Sequence, residues 1–582
     1  MSLLNRKRAD TLIIPWRFYV VLGFATFLFF LLATRAAYIQ IIAPEKLRQQ
    51  QDARTLRLIA HKNQRGLILD RHGEVLAASV PLRAIWVDPQ HMLPAESLDD
   101  HQRWQALADI LEQDKASLLK RLDDHKNRRF LYLKRQVTPA VADYIESLNL
   151  AGVYWKPESK RFYPGGESIA QLIGVTNIDD QGIEGVESFY DSFLTTTSMK
   201  QKVRKSRDGF VVEHLAITQK GQEANDITLS IDQRIQTLAY AALKKATTET
   251  QATSGSIVVL DIKTGEVLAM ANTPSFNPNN SAQRQSYRMR NRAITDAFEL
   301  GSVIKPFMIV AGLEAGTIQS DSLIDTSPGY LYANGRRLAR DHHNLGKIGL
   351  ETILQKSSNV GVTKVALSLS VQQILDTYSA LGLGDYTGIE LHGESPGILD
   401  YRNRWSKQEQ SSLSYGYGFS ATALQLTRMY AILANDGVMM PVSIRKVGDV
   451  IPTGTQVISK QVAQTVLPML KGVLGDHGTA KQAHIDGYAV AGKTGTSRKA
   501  VAGGYGDDYV ASFAGVAPLE NPKLAIGVVI NEPKGDHYYG GDAAAPVFSK
   551  VMAGSLQLLN IPLSELSKTV LAQVRLQEKV KS

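Results

Sequence analysis

The sequence predicts an α+β protein with one apolar N-terminal helix, a mixed α+β module, and a larger domain in which helices flank a central antiparallel sheet. Residues 18–34 carry no charge, which is the pattern of a membrane-spanning helix. Residues 50–222 mix short strand patterns with helical periodicity. Beyond residue 226, strand patterns come first, helical patterns follow, and strand patterns return near the end. The early and late strands are therefore expected to form one sheet.

The apolar N-terminal segment is predicted to be an uncleaved anchor over residues 18–40. Four basic residues precede it: Arg6, Lys7, Arg8 and Arg17. By the positive-inside rule, residues 1–17 are expected in the cytoplasm and the rest of the chain on the other side of the membrane. A cleaved signal peptide is the alternative, but residues 33–36 make a poor cleavage site. A buried core helix is a second alternative, and aromatic residues at both edges of the run favour an interfacial anchor instead.

The composition excludes several kinds of chemistry. The chain has no cysteine, so disulfides, thiolate catalysis and cysteine-based zinc sites are ruled out. No histidine pattern predicts a metal site, and neither a metal nor another cofactor is expected. The net charge of +9 is spread along the chain without a recognisable nucleic-acid-binding module. The densest basic cluster, within residues 200–207, is predicted to be a solvated loop.

The chain after the anchor is divided by its patterns into three segments. Residues 50–222 form the mixed module, in which no catalytic constellation is recognisable, and residues 226–560 form the larger domain. Residues 561–582 are a charged tail that is predicted to be peripheral.

The elements of the larger domain follow from local signals. Asp232 is predicted to cap a helix over residues 233–246. Lys263-Thr264-Gly265 is predicted to be the turn of a hairpin. Late strands are predicted over residues 490–496, 509–517 and 524–530, with a glycine-rich loop between the first two.

Three short polar motifs in the larger domain together supply the parts of an acyl-transfer site. They are Ser302-Val303-Ile304-Lys305, Ser357-Ser358-Asn359 and Lys493-Thr494-Gly495-Thr496. The parts are a serine nucleophile, a nearby amine base, a second hydroxyl with an amide, and a cation beside threonine hydroxyls. Similar patterns also occur at Ser117, Ser275 and Lys263, but in an amphipathic helix, a Pro/Asn loop and a hairpin turn.

Ser302 and Lys305 are expected on one face of a helix that begins at about Ser302, because Pro306 is tolerated only near a helix start. Such a start offers backbone N–H groups to a developing oxyanion. A lysine of ordinary pKa is a poor base at neutral pH. Burial and a second cation would lower the pKa of Lys305, and Lys493 is predicted to be that cation.

The other two motifs are predicted to handle the proton and the substrate. Ser357-Ser358-Asn359 interrupts two helical stretches, where Ser357 could pass a proton and Asn359 could hold a substrate amide. A plain helix cap is the alternative for this motif. Thr494 and Thr496 share one strand face and could bind a carboxylate, while Gly495 would let a substrate backbone approach.

Two rival functions fit parts of the sequence. Residues 487–494 match a phosphate-binding loop, but that loop requires a helix immediately afterwards, and Gly495 with a predicted strand follows here. Glu184 and Glu187 could be imagined as glycosidase carboxylates. Three residues apart on a loop, they are more simply structural.

The chain resembles class B penicillin-binding proteins, and within them the division-specific peptidoglycan D,D-transpeptidases of Gram-negative bacteria. The resemblance covers nearly the whole chain. It is carried by the anchor, the three motifs above, and the segments Arg65-Gly66-x-Ile68-x-Asp70-Arg71-x-Gly73, Arg161-x-Tyr163-Pro164, Gly182-Ile183-Glu184-Gly185-Val186-Glu187, Ser414-Tyr415-Gly416-Tyr417-Gly418 and Gly540-Gly541…Ala545-Pro546-Val547-Phe548.

The resemblance implies an elongated pedestal of the penicillin-binding-protein dimerisation type over residues 50–222, and a transpeptidase domain over residues 226–560. Ser302 would be the nucleophile, Lys305 the base and Ser357 the proton shuttle. Substrate binding would fall to Asn359, Lys493, Thr494, Gly495 and Thr496. The expected partners are peptidoglycan stem peptides as D-Ala-D-Ala donor and amine acceptor, β-lactams, the inner membrane through one helix, and, by analogy, division proteins including the polymerase FtsW.

Several functions within and beyond this group remain as alternatives. An elongation-type transpeptidase tends to carry Asp at the position of Asn359, so Asn here favours division. A non-catalytic β-lactam-binding scaffold would not need the intact Ser302/Lys305 pair. A bifunctional class A enzyme, a β-lactamase and a β-lactam sensor would each need a feature that the sequence does not display. D,D-carboxypeptidase activity is the expected side reaction.

Overall fold

The protein is described by a computed structural model, which covers residues 15–42, 45, 49, 52–53, 55–61, 64–92, 101–195, 199–205, 211–219 and 224–564. The predicted cytoplasmic segment therefore lies almost entirely outside the described residues, as does the predicted tail beyond residue 564.

The N-terminal half contains eight described helices and eight strands, not counting one short 3-10 turn and a π-helical turn. The helices are α1 Pro15–Ala37, α2 Pro89–Met92, α3 His101–Ile110, α4 Lys115–Asp124, α5 Pro139–Ser147, α6 Ala170–Ile173, α7 Gly185–Phe189 and α8 Asp191–Leu194. The strands are β1 Leu56–His61, β2 Ile68–Leu69, β3 Val75–Val87, β4 Leu131–Val137, β5 Val153–Phe162, β6 Met199–Lys205, β7 Val211–Gln219 and β8 Ile227–Thr228.

The C-terminal half contains the remaining described elements. The helices are α9 Gln233–Glu249, α10 Ser286–Met289, α11 Arg292–Thr295, α12 Lys305–Glu314, α13 Leu350–Gln355, α14 Asn359–Leu367, α15 Val371–Ala380, α16 Lys407–Ser414, α17 Ala423–Ala434, α18 Lys460–Met469, α19 Gly540–Ala543 and α20 Ala545–Leu558. The strands are β9 Ser254–Asp261, β10 Val267–Thr273, β11 Leu323–Asp325, β12 Tyr330–Ala333, β13 Arg336–Arg340, β14 Lys347–Gly349, β15 Val438–Met439, β16 Thr455–Gln456, β17 Ala491–Val501, β18 Gly504–Ala517 and β19 Leu524–Asn531.

The chain divides into two compact units, of which the first holds residues up to 63 and residues 196–223. Helix α1 continues into a π-helical turn, Tyr38–Ile42, so that 26 residues from Trp16 to Ile41 form one apolar helix. At 1.5 Å per residue this helix is about 39 Å long, enough to cross a bilayer core of about 30 Å. The anchor prediction is met in length and composition.

The first unit also contains a three-stranded antiparallel sheet in the order β1–β6–β7. The basic cluster within residues 200–207 was predicted to be a loop, and for residues 200–205 that prediction is wrong because β6 pairs with a strand on each side. Arg204 donates to Glu213 on the neighbouring strand at 2.8 Å and lies 3.7 Å from Asp52. Acidic partners therefore offset part of the charge that had suggested solvent exposure.

The second unit holds residues 64–195 and 224–582. In its N-terminal part, strands run in the order β4–β3–β2–β8, and β5 also pairs with β3. Helices α3, α4 and α5 contribute a separate apolar cluster that includes Trp104, Leu118 and Ile145. Strand β2, near the start of the mixed module, lies parallel to β8, so this part of the module joins directly to the start of the larger domain.

A buried ionic cluster holds this part of the second unit together. Glu187 is fully buried and accepts from Arg65 at 2.6 Å and from Arg161 at 2.7 Å. Arg65 also contacts Asp191 at 2.5 Å. Two arginines on one buried carboxylate make Glu187 a structural residue, whereas Glu184 is exposed.

The larger domain has a five-stranded antiparallel sheet in the order β10–β9–β19–β18–β17. A Cβ at Gly255 would touch Leu243 and Thr247 of α9, whereas a Cβ at Gly527 would touch Thr427 of α17. Gly527 is paired with Val258, three residues from Gly255, so these contacts lie on opposite faces of the sheet. The predicted sheet flanked by helices is confirmed.

The local signals of the larger domain are largely confirmed. Asp232 caps α9 by accepting from the N–H of Arg234 at 3.0 Å, and residues 262–266 join β9 to β10 as the predicted hairpin turn. The glycine-rich loop is shorter than predicted, because β17 and β18 remain paired up to Val501 and Gly504. The glycines near the exposed hairpin tip do not end the strands, because the backbone pairing between β17 and β18 extends to that tip.

We expect Glu187→Ala to lower the free energy of unfolding by about 3–5 kcal/mol, because it leaves two buried guanidinium groups without their shared carboxylate. Urea unfolding of the detergent-solubilised full chain, followed by tryptophan fluorescence, measures this change. The matched control is Glu184→Ala, an exposed carboxylate three residues away, for which a change within about 0.5 kcal/mol is expected. Equal losses in both variants would contradict the structural role of Glu187.

Candidate active site

Ser302 lies on a tight helical turn that leads into the buried helix α12. Residues Gly301–Ile304 form a 3-10 turn, and the α-helix begins at Lys305, so the predicted helix start near Ser302 is correct to within one turn. Gly301 has a φ of +60°, and a Cβ there would lie 2.9 Å from the carbonyl oxygen of Thr496. The turn is therefore packed directly against β17, which brings the first and third motifs together.

The amine of Lys305 is fully buried and is surrounded by neutral oxygens. Its Nζ donates to the Ser357 carbonyl at 2.6 Å, to Ser357 Oγ at 3.1 Å and to Asn359 Oδ1 at 2.7 Å. The first and second motifs therefore meet at one nitrogen atom.

Burial lowers the pKa of Lys305 well below its ordinary value, and the charge of Lys493 lowers it further. The more distant Asp341 acts in the opposite direction. Burial also lowers the pKa of Lys493, to about 7. Among the described residues, neither amine contacts a carboxylate directly to replace the water it has lost, and this condition favours a neutral amine. The predicted influence of Lys493 on Lys305 is met.

The turn at the start of α14 positions Ser357 and Asn359 so that both contact Lys305. Ser357 has a φ of +55°, in the left-handed region, and this conformation accompanies the turn of its carbonyl toward Lys305. Ser358 caps α14 by accepting from the N–H of Gly361 at 2.8 Å. Ser357-Ser358-Asn359 therefore both caps a helix and supplies hydrogen-bond acceptors to the amine of Lys305. The predicted interruption between two helices at this motif is confirmed.

Asp341 is a residue of this site that the sequence analysis missed. Its Oδ1 accepts from the N–H of Asn359 at 2.6 Å and from the N–H of Val360 at 3.1 Å, and its Oδ2 accepts from Ser358 Oγ at 2.5 Å. It follows strand β13 directly, in a segment without periodicity or a motif. The two residues that follow it, His342 and His343, do not form a metal-site pattern, and no signal in the sequence distinguishes this carboxylate.

The third motif lies on β17, which is an edge strand of the central sheet. Lys493 is fully buried, and its Nζ lies 3.2 Å from the Thr494 carbonyl and 3.3 Å from Thr494 Oγ1. Thr494 Oγ1 is 2.9 Å from Thr479 Oγ1, and Thr496 Oγ1 accepts from the N–H of Gly540 at 3.0 Å. Two threonine hydroxyls and a lysine amine thus line one strand edge.

Gly495 is required by crowding inside the protein. A Cβ at this position would lie 2.4 Å from Ser512 Oγ and 2.7 Å from the carbonyl oxygen of Leu300. The glycine thus lets β17 pack against the segment that precedes Ser302. Its predicted role in admitting a substrate backbone stays a prediction.

The rival motifs are placed elsewhere or have the wrong geometry. Residues 487–494 continue into strand β17 and not into a helix, so they do not form a phosphate-binding loop. Ser117 is exposed on α4, and Ser275 donates to the carbonyl of Glu167 at 2.7 Å. Only the motifs at 302, 357 and 493 converge.

Comparisons with known proteins agree with this arrangement. The family model for the penicillin binding protein transpeptidase domain matches residues 255–553, and that for the penicillin-binding protein dimerisation domain matches residues 60–229. The peptidoglycan D,D-transpeptidase FtsI of Escherichia coli K12 is 42% identical over 558 residues, covering 96% of this chain and 94% of that protein. The probable peptidoglycan D,D-transpeptidase PenA of Neisseria gonorrhoeae is 38% identical, covering 93% and 92%.

Two solved structures are similar in fold. The transpeptidase domain of penicillin-binding protein 3 from Burkholderia pseudomallei superimposes with a TM-score of 0.54 at 37% identity, covering 58% of this chain and 97% of that one. Penicillin-binding protein 3 from Mycobacterium tuberculosis, in complex with aztreonam, has a TM-score of 0.66 at 28% identity, covering 88% and 98%. Fold and site define a penicillin-binding transpeptidase with a dimerisation domain. Within that class, this chain belongs to the FtsI-like peptidoglycan D,D-transpeptidase family.

We expect Asp341→Asn to shift the acid limb of the pH profile for penicillin acylation toward lower pH. The carboxylate raises the pKa of Lys305, so its removal lowers that pKa and leaves the amine neutral at lower pH. Stopped-flow acylation rates between about pH 5 and 9 measure the shift. Ser358→Ala is the matched control, since it removes one hydrogen bond to Asp341 and no charge. The assignment fails if both variants move the limb equally or neither moves it.

We expect Lys493→Met to raise the free energy of unfolding at pH 6 by about 1–4 kcal/mol while abolishing acylation. The pKa of Lys493 is lowered in the folded protein to about 7, so its burial is most costly below pH 7 and costs less as pH rises toward its unfolded value of 10.5. The gain in stability should therefore shrink between pH 7 and pH 10. Urea titrations at several pH values measure it, with Lys364→Met as control, a half-buried lysine that donates to the Asp325 carbonyl. A gain that does not depend on pH would contradict the lowered pKa.

Proposed function

We propose that this protein is a septal peptidoglycan D,D-transpeptidase, which crosslinks stem peptides through an acyl-enzyme on Ser302 and is acylated by β-lactams at the same residue. The observation that carries this proposal is the convergence of a buried amine, Lys305, on Ser357 and Asn359 beside the Ser302 turn and the edge strand β17. Relatives of the same length that are named peptidoglycan D,D-transpeptidases support the reaction and its substrate class.

Acylation begins when Ser302 Oγ attacks the carbonyl carbon of the penultimate D-Ala of a stem pentapeptide. Lys305, held neutral by burial, takes the hydroxyl proton, so the new ester bond forms without a free alkoxide. The amide bond to the terminal D-Ala then breaks, and its nitrogen needs a proton to leave. Ser357 Oγ lies 3.1 Å from Lys305 Nζ and can relay that proton from the ammonium to the leaving amine.

The oxyanion of the tetrahedral intermediate would be bound by the backbone N–H groups of Ser302 and Thr496. The close approach of Gly301 to the backbone of Thr496 supports this role, because it holds the two segments next to each other. The N–H groups at the start of a helix are also free of intrahelical partners and carry a partial positive charge. Preorganised donors of this kind contribute roughly 3–4 kcal/mol each to transition-state stabilisation.

The terminal carboxylate of the donor would be received by Thr494 and Thr496. Its negative charge would favour the protonated form of Lys493 beneath them, whose pKa of about 7 allows it to bind a proton near neutral pH. Their hydroxyl oxygens lie at the strand edge, where Thr479 and the N–H of Gly540 are their present partners. A donor peptide running along β17 would add a strand to an edge that is otherwise unpaired among the described strands. Asn359 would contact the donor amide while it orients Lys305.

Crosslinking follows when an amine of a neighbouring stem attacks the ester carbonyl. The amine loses a proton to Lys305, the ester bond to Ser302 breaks, and Ser302 recovers its proton from the ammonium. The site returns to its starting state without a cofactor. β-Lactams enter the same first step, because their amide and carboxylate resemble those of D-Ala-D-Ala.

The location of the protein follows from its apolar helix. We infer a single-pass inner-membrane protein with residues 1–17 in the cytoplasm, residues 18–40 in the membrane and the catalytic domain in the periplasm. The basic residues before the helix support this orientation. We propose boundaries of 50–222 for the pedestal, 226–560 for the transpeptidase domain and 561–582 for the tail. The matches of the two family models over residues 60–229 and 255–553 support the division into two domains. FtsW and other division proteins are the proposed partners.

We expect intact-mass analysis after incubation with penicillin to show one adduct, located on Ser302 by peptide mapping. Ser302→Ala should lose the adduct completely because no other hydroxyl is positioned by the same turn. Ser117→Ala is the matched control, since it removes the serine of the other S-x-x-K pattern and should leave labelling unchanged. Labelling that persists in the Ser302 variant, or an adduct on another residue, would refute the assignment of the nucleophile.

A further inference from the structure

A cavity of about 540 Å³ lies beside the catalytic strand, and it is not lined by Ser302, Lys305, Ser357 or the K-T-G-T residues. Its wall includes residues 296–299 before the catalytic turn, residues 418–420 at the end of the Tyr-Gly-Tyr-Gly segment, residues 497–500 of β17, and the ends of β9 and β19. A volume of this size accommodates a molecule as large as a short peptide.

The wall of the cavity is rich in positive charge. Four cationic side chains line it, against two carboxyls: the cations are Arg290, Arg292, Arg498 and Lys499, and the carboxyls are Asp296 and Glu299. Arg290 and Arg292 share Asp296, at 2.6 Å and 3.7 Å. Lys499 is paired with Glu532, which lies outside the lining. Asp296 cannot by itself neutralise the guanidinium groups of both Arg290 and Arg292, so this side of the wall favours an anionic ligand.

Two buried polar atoms in the same wall lack hydrogen-bond partners within the described part of the chain. They are Glu299 Oε2 and Ser420 Oγ. Burial raises the pKa of Glu299, which reduces the repulsion that a second carboxylate would meet there. Buried atoms without partners are rare in proteins, and a ligand with both donors and acceptors would satisfy them.

The cavity is coupled to the catalytic turn by direct contacts. Ser497 Oγ donates to the Glu299 carbonyl at 2.6 Å, and Glu299 Oε1 accepts from the N–H of Gly418 at 2.8 Å. Gly301 donates its N–H to the Gly416 carbonyl at 3.1 Å. The segments that form the wall are therefore the same segments that hold Ser302 in place.

We propose that this cavity binds a carboxylate-bearing peptide of the stem class as an effector, and that its occupancy changes the rate at which Ser302 is acylated. The inference rests on the proposed function for the identity of the peptide. Arginines receive the carboxylates, Glu299 and Ser420 pair with amide groups, and the apolar wall, which includes Phe298 and Phe419, covers the aliphatic side chains.

The test uses the full-length protein in detergent, first acylated with penicillin so that the donor site is blocked, and a stem tripeptide that lacks the terminal D-Ala-D-Ala as probe. Titration calorimetry is expected to show one bound tripeptide per chain. Arg290→Gln and Arg292→Gln should each weaken binding by about tenfold, which is the loss expected for one charge-assisted contact. Arg402→Gln is the matched control. Arg402 is a half-exposed arginine that does not line the cavity, and it is paired with Glu409 at 3.0 Å. This variant should bind the tripeptide as tightly as the parent protein does.

The effector role is measured on the unacylated protein by stopped-flow. Saturating tripeptide is expected to change the penicillin acylation rate at least threefold in the parent protein and in Arg402→Gln, and less in the two cavity variants. No binding to the acylated protein, binding that survives both cavity substitutions, or binding without a change in rate would each overturn the proposal. Failure of the proposed function is a separate outcome, because the protein would then form no penicillin adduct at Ser302 in the first step.

Discussion

The burial of two lysine amines in one cleft is the constraint on which the rest of the site depends. Lys305 and Lys493 are both 0% exposed, and neutral oxygens surround each of them. Desolvation without a carboxylate in direct contact is costly for a charged group, and the cost is reduced when the amine loses its proton. Burial therefore lowers the pKa of both amines, which is the property that the base proposed here, Lys305, requires.

The packing of the larger domain offsets the free-energy cost of burying these two amines. Helix α12 is buried along most of its length, and the central strands β9 and β19, with residues 510–517 of β18, are buried on both faces. Glycines bring the segments of the cleft into contact: a Cβ at Gly416 would lie 2.1 Å from the Gly301 carbonyl oxygen, and a Cβ at Gly495 would lie 2.7 Å from that of Leu300. Because backbone meets backbone at these positions, the serine turn and β17 cannot shift independently, and the side chains of the cleft stay aligned.

The second unit also ties residues from the predicted pedestal to the catalytic domain. Asp70 accepts from the N–H of Gln233, and His72 lies 3.1 Å from Asp232, so this segment contacts the start of α9. Tyr163 and Asn279 exchange two hydrogen bonds, of 3.0 Å and 2.9 Å. The motif residues Arg65 and Arg161, which the sequence alone could only associate with a family, join this region through Glu187. Their function in the described structure is to bury and neutralise one carboxylate.

The sequence by itself determined the elements whose signals are local. The apolar run, the Asp232 cap, the hairpin turn at Lys263 and the helical interruption at Ser357 depend on neighbours within a few residues, and each appears in the structure. The motifs also named Ser302, Lys305 and Lys493 correctly as neighbours in space, because the chemistry of a serine nucleophile requires those partners. Their roles in catalysis remain proposals.

Only the tertiary structure decided the features that depend on distant contacts. Asp341 meets the start of α14 across 18 residues, and nothing in its own segment indicates that contact. The basic stretch at residues 200–205 became a strand because partners on both sides satisfy its backbone. The cavity beside β17 exists because seven separate segments leave space between them. Hydrogen bonding and exclusion of water act between groups that are close in space but distant in sequence. The sequence pattern around a residue therefore does not indicate which distant group it will contact.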